Sequence, residues 1–243
     1  MARYPAYSMV YDTLKQEIID GDIAIGELLP PEPELERRFQ VSRTTVRKAV
    51  ELLSRDGFVR AQQGKGTEVL NNKTKQNLNG VTSISETLRK RGCTVELKSI
   101  FIDMVPASVH IAQDLQIEPG TEVIRIQRIQ LADGVPIAIM KNYLKEHMVP
   151  GIIQHKDEIS SLYQFLSKRY HIEIESAMDR ISAKNADFTE AGMLQVPIGT
   201  ALLYLKRVCF QGVNPVIADR ISLIGERYEF EVNMSGRLEE RSL

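Results

Sequence analysis

The chain has little of what metal and redox chemistry needs. Its two cysteines, Cys93 and Cys209, lie far apart and neither sits in a Cys-x-x-Cys pair. They read as reduced thiols, not as a disulfide framework. The four histidines (110, 147, 155 and 171) are scattered with no His-x-x-x-His spacing, so no metal site is expected. No Ser/His/Asp or Cys/His set and no pair of carboxylates stands out, and no cofactor is implied. No apolar run approaches the roughly 18 residues that a membrane helix requires. The first residues, MARYPAYSMVYDTLKQEI, lack an apolar stretch followed by a small-residue cleavage site, so a cytoplasmic protein is expected.

What is present suits a globular protein: 43% hydrophobic and 26% charged residues over 243 positions, enough for one or two domains. A net charge of −1 argues, taken alone, against a nucleic-acid binder. Its distribution argues the other way. From Arg37 to Lys65 eight Lys or Arg face only Glu51 and Asp56, a net +6, and the rest of the chain carries −7.

The basic block falls in a region of short helices. Tyr7, Tyr11, Leu14 and Ile18 recur with helical spacing and Asp20-Gly21 stops the run. A second helix begins near Glu32, with Leu35 and Phe39 inward. After Gln40-Val41, Ser42 is placed to cap a third, whose buried face is Val46, Ala49, Val50 and Leu53 and which Gly57 closes. Two short extended segments, 58–60 and 67–70, flank Gln62-Gln63-Gly64-Lys65-Gly66. Three helices and a two-stranded ribbon make a winged helix-turn-helix pattern, assigned to residues 1–70. Residues 71–80, NNKTKQNLNG, hold one apolar residue and read as a solvated linker.

Residues 81–243 carry an internal repeat. Leu115-Gln116-Ile117, Gly120-Thr121, Arg128 and Pro136 recur 79 residues later in Leu194-Gln195-Val196, Gly199-Thr200, Arg207 and Pro215. Each copy reads as a helix end, a turn, a strand, a second turn and a second strand. Two related hairpins in one antiparallel sheet are predicted, backed by helices near 83–91, 108–115, 160–169 and 187–194. The class is α+β.

On the third helix, Arg43 and Arg47 are four apart, as are Thr44 and Lys48, and both rows lie away from the buried face. A helix fits the B-DNA major groove, where Arg can grip guanine with two hydrogen bonds, and recognition helices read bases with their N-terminal residues. Ser42, Thr44 and Thr45 suit phosphate oxygens or a thymine methyl. Gly64-Lys65-Gly66 lets backbone approach a groove, with one Lys for a phosphate. The bland alternative is a solvated charged helix face.

At this point a resemblance becomes specific. Leu29-Pro30-x-Glu32-x-Glu34-Leu35, Val41-Ser42-Arg43-Thr44-Thr45-Val46-Arg47, Gly57-Phe58-Val59 and Gly64-Lys65-Gly66-Thr67 resemble the DNA-binding domain of GntR-family bacterial transcription regulators over residues 7–70. The resemblance implies DNA contacts by Ser42, Arg43, Thr44, Thr45, Arg47 and Gly64, with Lys65 added from the wing chemistry. Pro31 and Pro33 stand where the family usually has Ser and Arg, so one common DNA contact is absent.

In the second domain, a period of two puts Ile124, Ile126, Arg128 and Gln130 on one strand face. A buried Arg requires a partner. For Arg128 that is a bound anion or an internal carboxylate; an exposed strand end is the third option. Its repeat mate Arg207 faces the same choice, with the internal partner favoured. Thr82-Ser83-Ile84-Ser85-Glu86, Gly92, Arg128-x-x-x-Ala132-Asp133-Gly134-x-Pro136, Ser161-Leu162-Tyr163 and Gly225-Glu226-Arg227-Tyr228-x-Phe230 are similar to the UTRA effector domain of the HutC-type GntR subfamily. The resemblance implies a chorismate-lyase-like fold and a ligand site built from Ile84, Ser85, Arg128, Gln130, Met140, Ser161, Tyr163, Ile217 and Leu223. At four of these this chain departs from sugar-phosphate-sensing members: Gln130 replaces a second Arg, Met140 and Ile217 replace acids, and Leu223 replaces a Tyr. The site keeps an anion grip beside a more apolar half.

The expectation is a homodimeric regulator, in this family most often a repressor. It binds double-stranded operator DNA and is controlled by a small anionic effector, a sugar phosphate or carboxylate. Two alternatives stand beside it: a constitutive DNA-binding protein with a degenerate pocket, and an enzyme on the chorismate-lyase-like fold.

Overall fold

The computed structural model describes residues 5–70 and 73–235. The chain forms two compact units, Met1–Asn72 and Lys73–Leu243.

In the first unit α1 (Ala6–Asp20), α2 (Glu32–Phe39) and α3 (Arg43–Arg55) precede an antiparallel ribbon of β1 (Val59–Gln62) and β2 (Gly66–Val69). Val10, Leu14 and Ile18 of α1 meet Leu35, Val46, Ala49, Leu53, Phe58, Val59 and Val69 in one core. Each of these Val, Leu, Ile and Phe side chains contributes about 1.5–3 kcal/mol on burial. The seam of α1 is turned relative to the expected Tyr7/Tyr11 stripe: Val10 is fully buried, and the tyrosines lie at its edge. Their rings have other work. The Tyr11 hydroxyl donates to Asp56 at 2.6 Å, and the Lys48 ammonium stands 4.0 Å over the Tyr7 ring. An amphipathic Tyr sits at the rim of a core more readily than at its centre, where its hydroxyl needs a partner.

The second unit is built on a six-stranded antiparallel sheet in the order β4-β5-β6-β9-β8-β7. The strands are β4 (Val95–Pro106), β5 (Glu122–Ala132), β6 (Val135–Lys145), β7 (Ser176–Asn185), β8 (Ala201–Gln211) and β9 (Asn214–Ile224). The duplication is visible in the register: at the central β6–β9 pair, Lys141 faces Arg220, its own mate 79 residues on. A pseudo-two-fold axis therefore passes between these residues. Helices α4 (Ile84–Lys90) and α6 (Leu162–Tyr170) cover one face, packing on clusters that include Met140 and Leu223 and, separately, Ile124 and Ile217. Helices α5 (Val109–Leu115) and α7 (Phe188–Leu194) cover the other, one in each repeat. All four fall within a residue or two of the expected helices.

The expected linker is corrected. Thr74–Asn77 forms β3, paired in parallel with β10 (Tyr228–Glu231). Thr74 and Gln76 are buried; the Tyr228 hydroxyl donates to Gln76 Oε1 at 2.6 Å. Polar composition misled because alternation, not hydrophobicity, decides a half-buried strand: the inward Thr and Gln are satisfied by hydrogen bonds. Residues 71 and 72 of the expected linker lie outside the described residues.

Candidate functional site

The helix-turn-helix presents its chemistry at the start of α3. Ser42 caps the helix: its Oγ accepts the Thr45 backbone N–H, with the Thr45 hydroxyl 2.9 Å away. That fixes the first turn, from which Arg43, Thr44 and Arg47 project on the exposed side. The arginine side chains are 68% and 67% exposed, yet neither is loose. Glu32, at the start of α2, accepts from Arg43 Nε at 2.8 Å and lies 3.4 Å from Arg47 Nε. That hydrogen bond raises the Arg43 pKa above its ordinary value. Glu32 thus aligns two guanidiniums side by side, where an incoming phosphate or guanine edge can take them over. Elsewhere several cations of this stretch are held by carboxylates: Arg38 pairs with Glu17 and Arg60 with Glu68, both acids lying outside residues 37–65, and Arg55 pairs with Asp56. At the wing, Gly64 and Gly66 hold φ of +76° and +125°, values disfavoured for L side chains, and expose Lys65 between them. The sequence-predicted DNA residues are therefore drawn together at the α3 start and the wing, with Thr45 half-buried.

In the second unit the two repeat-related arginines have different fates. Arg207 is buried and held by Asp179 through two hydrogen bonds, 2.7 Å from Nε and 2.6 Å from Nη2, and its Nη1 donates to the Thr82 carbonyl at 2.8 Å. Burial works against that charge, but the Asp179 carboxylate outweighs it and the pKa lies above the ordinary value. Arg128 is equally buried, at 4% exposure, but its Nε and Nη1 have no hydrogen-bond partner. Burial lowers its pKa to about 10, against the opposing fields of Asp219 and Tyr163. The difference lies in the strand across. Asp179 faces Arg207 in β7. In β4 the corresponding stretch is bulged between Lys98 and Phe101, with Ser99 at a φ of 55°, and offers no acid opposite Arg128.

Asp219 and Tyr163, whose fields act on Arg128, connect to further unsatisfied atoms of this unit. Asn142 Oδ1 and Ser161 Oγ are buried without partners. Asn142 donates its amide to Asp219 Oδ1 at 2.5 Å, and the Tyr163 hydroxyl donates to Asp219 Oδ2 at 2.8 Å. Burial raises the Asp219 pKa, opposed by those two hydrogen bonds; burial also pushes Tyr163 well above the phenol range. This unit thus holds unused buried donors on Arg128 and Ser161 and one unused buried acceptor on Asn142. Ser161 also borders an open recess of about 510 Å³ with Gln164, Phe165 and Lys168.

Two expected ligand residues are otherwise engaged. The Ser85 hydroxyl donates to Gln130 Oε1 at 2.7 Å, while the Gln130 amide donates to the Glu96 and Leu131 carbonyls. Gln130 therefore closes on Ser85, whose proton is committed. Ile84, Met140 and Leu223 share one apolar cluster, and Ile217 belongs to another with Phe165 and Ile124. Asn142 and Asp219 were not singled out from the sequence. The signal was a period of two: Asn142 follows Met140, and Asp219 follows Ile217, on the same strand faces. Among the described residues no group of three His, Cys, Asp or Glu is placed to hold a metal.

A helix-turn-helix with a basic recognition helix and a glycine-edged wing, followed by a duplicated sheet with a buried unpaired arginine, defines a DNA-binding regulator with a sensor domain. Comparison with known proteins agrees. Residues 6–69 match the family described as "Bacterial regulatory proteins, gntR family", and residues 90–229 match the UTRA domain. The chain is 28% identical over 227 residues to the HTH-type transcriptional repressor NagR of Bacillus subtilis, covering 93% of each. It is 30% identical over 204 residues to the probable transcriptional regulator PhnF of Escherichia coli, covering 84% of each. The crystal structure of PhnF from Mycobacterium smegmatis superposes with a TM-score of 0.66 at 28% identity, over 94% of this chain and 100% of that one. The chain belongs to the GntR family and is a transcriptional regulator of the GntR/UTRA type. Among the described residues no helix is long and apolar enough to cross a membrane.

Proposed function

We propose that this regulator is a cytoplasmic, homodimeric repressor released from, or recruited to, its operator by a small anion bound at Arg128. Arg43, Thr44 and Arg47 read bases, while Ser42, Thr45, Gly64 and Lys65 position the backbone phosphates. Repression is favoured because relatives carry repressor names. A homodimer matches the two-fold symmetry common among operators.

One observation carries the ligand assignment: Arg128 is buried with two unpartnered donors, whereas its repeat mate Arg207 is closed by Asp179. Within one sheet, the second repeat answers a buried guanidinium with a carboxylate from the chain, and the first leaves the place to a carboxylate or phosphate from outside. An isolated buried charge is costly without such a partner. Ser161 adds a donor, Asn142 an acceptor, and Met140, Leu223 and Ile84 an apolar wall. The effector is therefore anionic at one end and poorer in hydroxyls than a sugar phosphate at the other.

A route for control is built into the second unit. The Gln76 amide on β3 donates to the Thr82 carbonyl, which also receives Arg207, directly before the Ser83 cap of α4. The strand that follows residue 72 is thus tied to the helix carrying Ser85. A ligand acts only by favouring one arrangement over another, and this tie offers two such arrangements a shared element.

The Ser85–Gln130 closure favours a second reading, a pocket that has lost its ligand and a regulator that binds DNA constitutively. A thermal-shift screen of sugar phosphates, carboxylic acids, neutral sugars and amines separates the two. Stabilisation by anions that disappears in Arg128→Met supports the sensor. Stabilisation mainly by neutral or cationic compounds, or none at all, contradicts it.

A further inference from the structure

The opposite face of the sheet holds a feature that the effector site does not use. Its middle row reads Gln127, Lys141, Arg220, Lys206 and Arg180 on β5, β6, β9, β8 and β7, each directly opposite the next. Four cations in adjacent register positions, on strands about 4.8 Å apart, span roughly 14 Å. Like charges directly opposite one another destabilise a sheet, so the row needs compensation. The helices supply only part of it. Asp114 of α5 accepts from Arg220 at 2.5 Å and lies 3.8 Å from Arg180. Glu190 of α7 is taken by Lys184 and the Ser222 hydroxyl, and Asp187 caps α7. Lys141 and Lys206, on either side of Arg220, form no ion pair with any described carboxylate; the Lys206 ammonium lies 5.7 Å from the Tyr204 ring.

The row is also accessible. The apolar patches under α5 and α7 lie to either side of it, leaving a trough with a cationic floor. Two recesses meet there, one of about 390 Å³ lined by Lys206, Arg180 and Asp114, the other of about 280 Å³ lined by Lys141 and Lys184. Arg220 lines both.

We infer that this trough is a second anion site, distinct from the Arg128 site, for a small molecule bearing two or more linked phosphate groups. A single phosphate reaches only one end of the row. A di- or triphosphate extends from Lys141 across Arg220 to Lys206 and supplies the negative charge the row lacks. The site lies on the pseudo-two-fold axis, where neither repeat alone supplies more than part of the row.

The test is titration of the full chain with inorganic tripolyphosphate at low salt, followed by calorimetry. The wild type is expected to bind it more tightly than orthophosphate. Arg128→Met is expected to bind unchanged, which separates this site from the effector site. The double variant K141Q/K206Q is expected to lose about tenfold or more in affinity, corresponding to one or more charge-assisted hydrogen bonds. Without anion that variant is expected to melt no lower than the wild type, because a like-charge repulsion has been removed. Amine labelling of the wild type gives an independent reading: tripolyphosphate is expected to protect Lys141 and Lys206 but not the exposed Lys168. No binding to the wild type, equal binding by K141Q/K206Q, absent protection, or loss of binding in Arg128→Met overturns the proposal. So does dissociation of a dimer by K141Q/K206Q, which assigns the row to a contact between copies.

Discussion

The repeat supplies an internal control for the claim that Arg128 awaits a ligand. Arg128→Met and Arg207→Met remove the same group from equivalent positions of one sheet. At Arg207 the change leaves Asp179 as an uncompensated carboxylate, 16% exposed at its side chain. Breaking a buried pair in this way costs about 3–5 kcal/mol. At Arg128 no hydrogen bond from Nε or Nη1 is lost, and a desolvated, unsatisfied donor group that costs about 1–3 kcal/mol is removed. The loss of its favourable field on Asp219 offsets part of that gain. A change of 1 kcal/mol moves the melting temperature by about 2–4 °C for a domain of this size. Arg207→Met is therefore expected to lower the transition of the second unit by roughly 10 °C, and Arg128→Met to leave it unchanged or a few degrees higher. Calorimetry of the full chain without added anions, following that unit's transition, reads both. Equal destabilisation by the two variants refutes the reasoning and makes Arg128 a structural residue.

Further expectations are accessible to the same or simpler assays. Arg43→Ala is expected to relax base preference, costing about 1–3 kcal/mol of discrimination, measured by competition between operator variants selected in vitro. Glu32→Gln releases Arg43 and Arg47 from their shared carboxylate and is expected to tighten binding to any DNA, most visibly at low salt; unchanged affinity denies Glu32 that role. Ser42→Ala removes the α3 cap and is expected to cost about 0.5–2 kcal/mol in the unfolding of the first unit. Asp219 has a pKa raised on folding, so the native state binds more protons than the unfolded one between the ordinary carboxylate value, about 3.9, and the raised one. Stability falls as pH rises through that window. Asp219→Asn is expected to flatten this fall, and an unaltered pH profile argues against a raised pKa.

Much of this architecture is legible in the sequence because it rests on local patterns. Ser42, the apolar spacing of α3 and the Gly-Lys-Gly turn fix the helix-turn-helix and wing by short-range geometry. The 79-residue offset revealed two matching hairpins, though not that Lys141 and Arg220 meet on an axis. What stayed hidden depends on register between distant strands. Whether Arg128 or Arg207 has a carboxylate turns on a bulge at residues 98–101, which no composition shows. Asn142 and Asp219 become partners only when β6 lies beside β9, and Glu32 reaches Arg43 only after α2 folds onto α3. Segment 74–77 has the composition of a linker because its inward residues, Thr74 and Gln76, are polar and are satisfied by Arg91 and Tyr228, partners outside the segment.

The charge of −1 hides an uneven distribution along the chain. The stretch from Arg37 to Lys65 carries +6, and the rest of the chain −7.

The central claim is that one chain both reads DNA through Arg43 and Arg47 and senses an anion through Arg128. Fluorescence anisotropy of a labelled operator, titrated with wild type and Arg128→Ala in the presence and absence of the anion found by thermal shift, tests it most directly. The account expects equal operator affinity for the two proteins without anion, and an anion-dependent change in the wild type alone. An identical response of Arg128→Ala to the anion contradicts it.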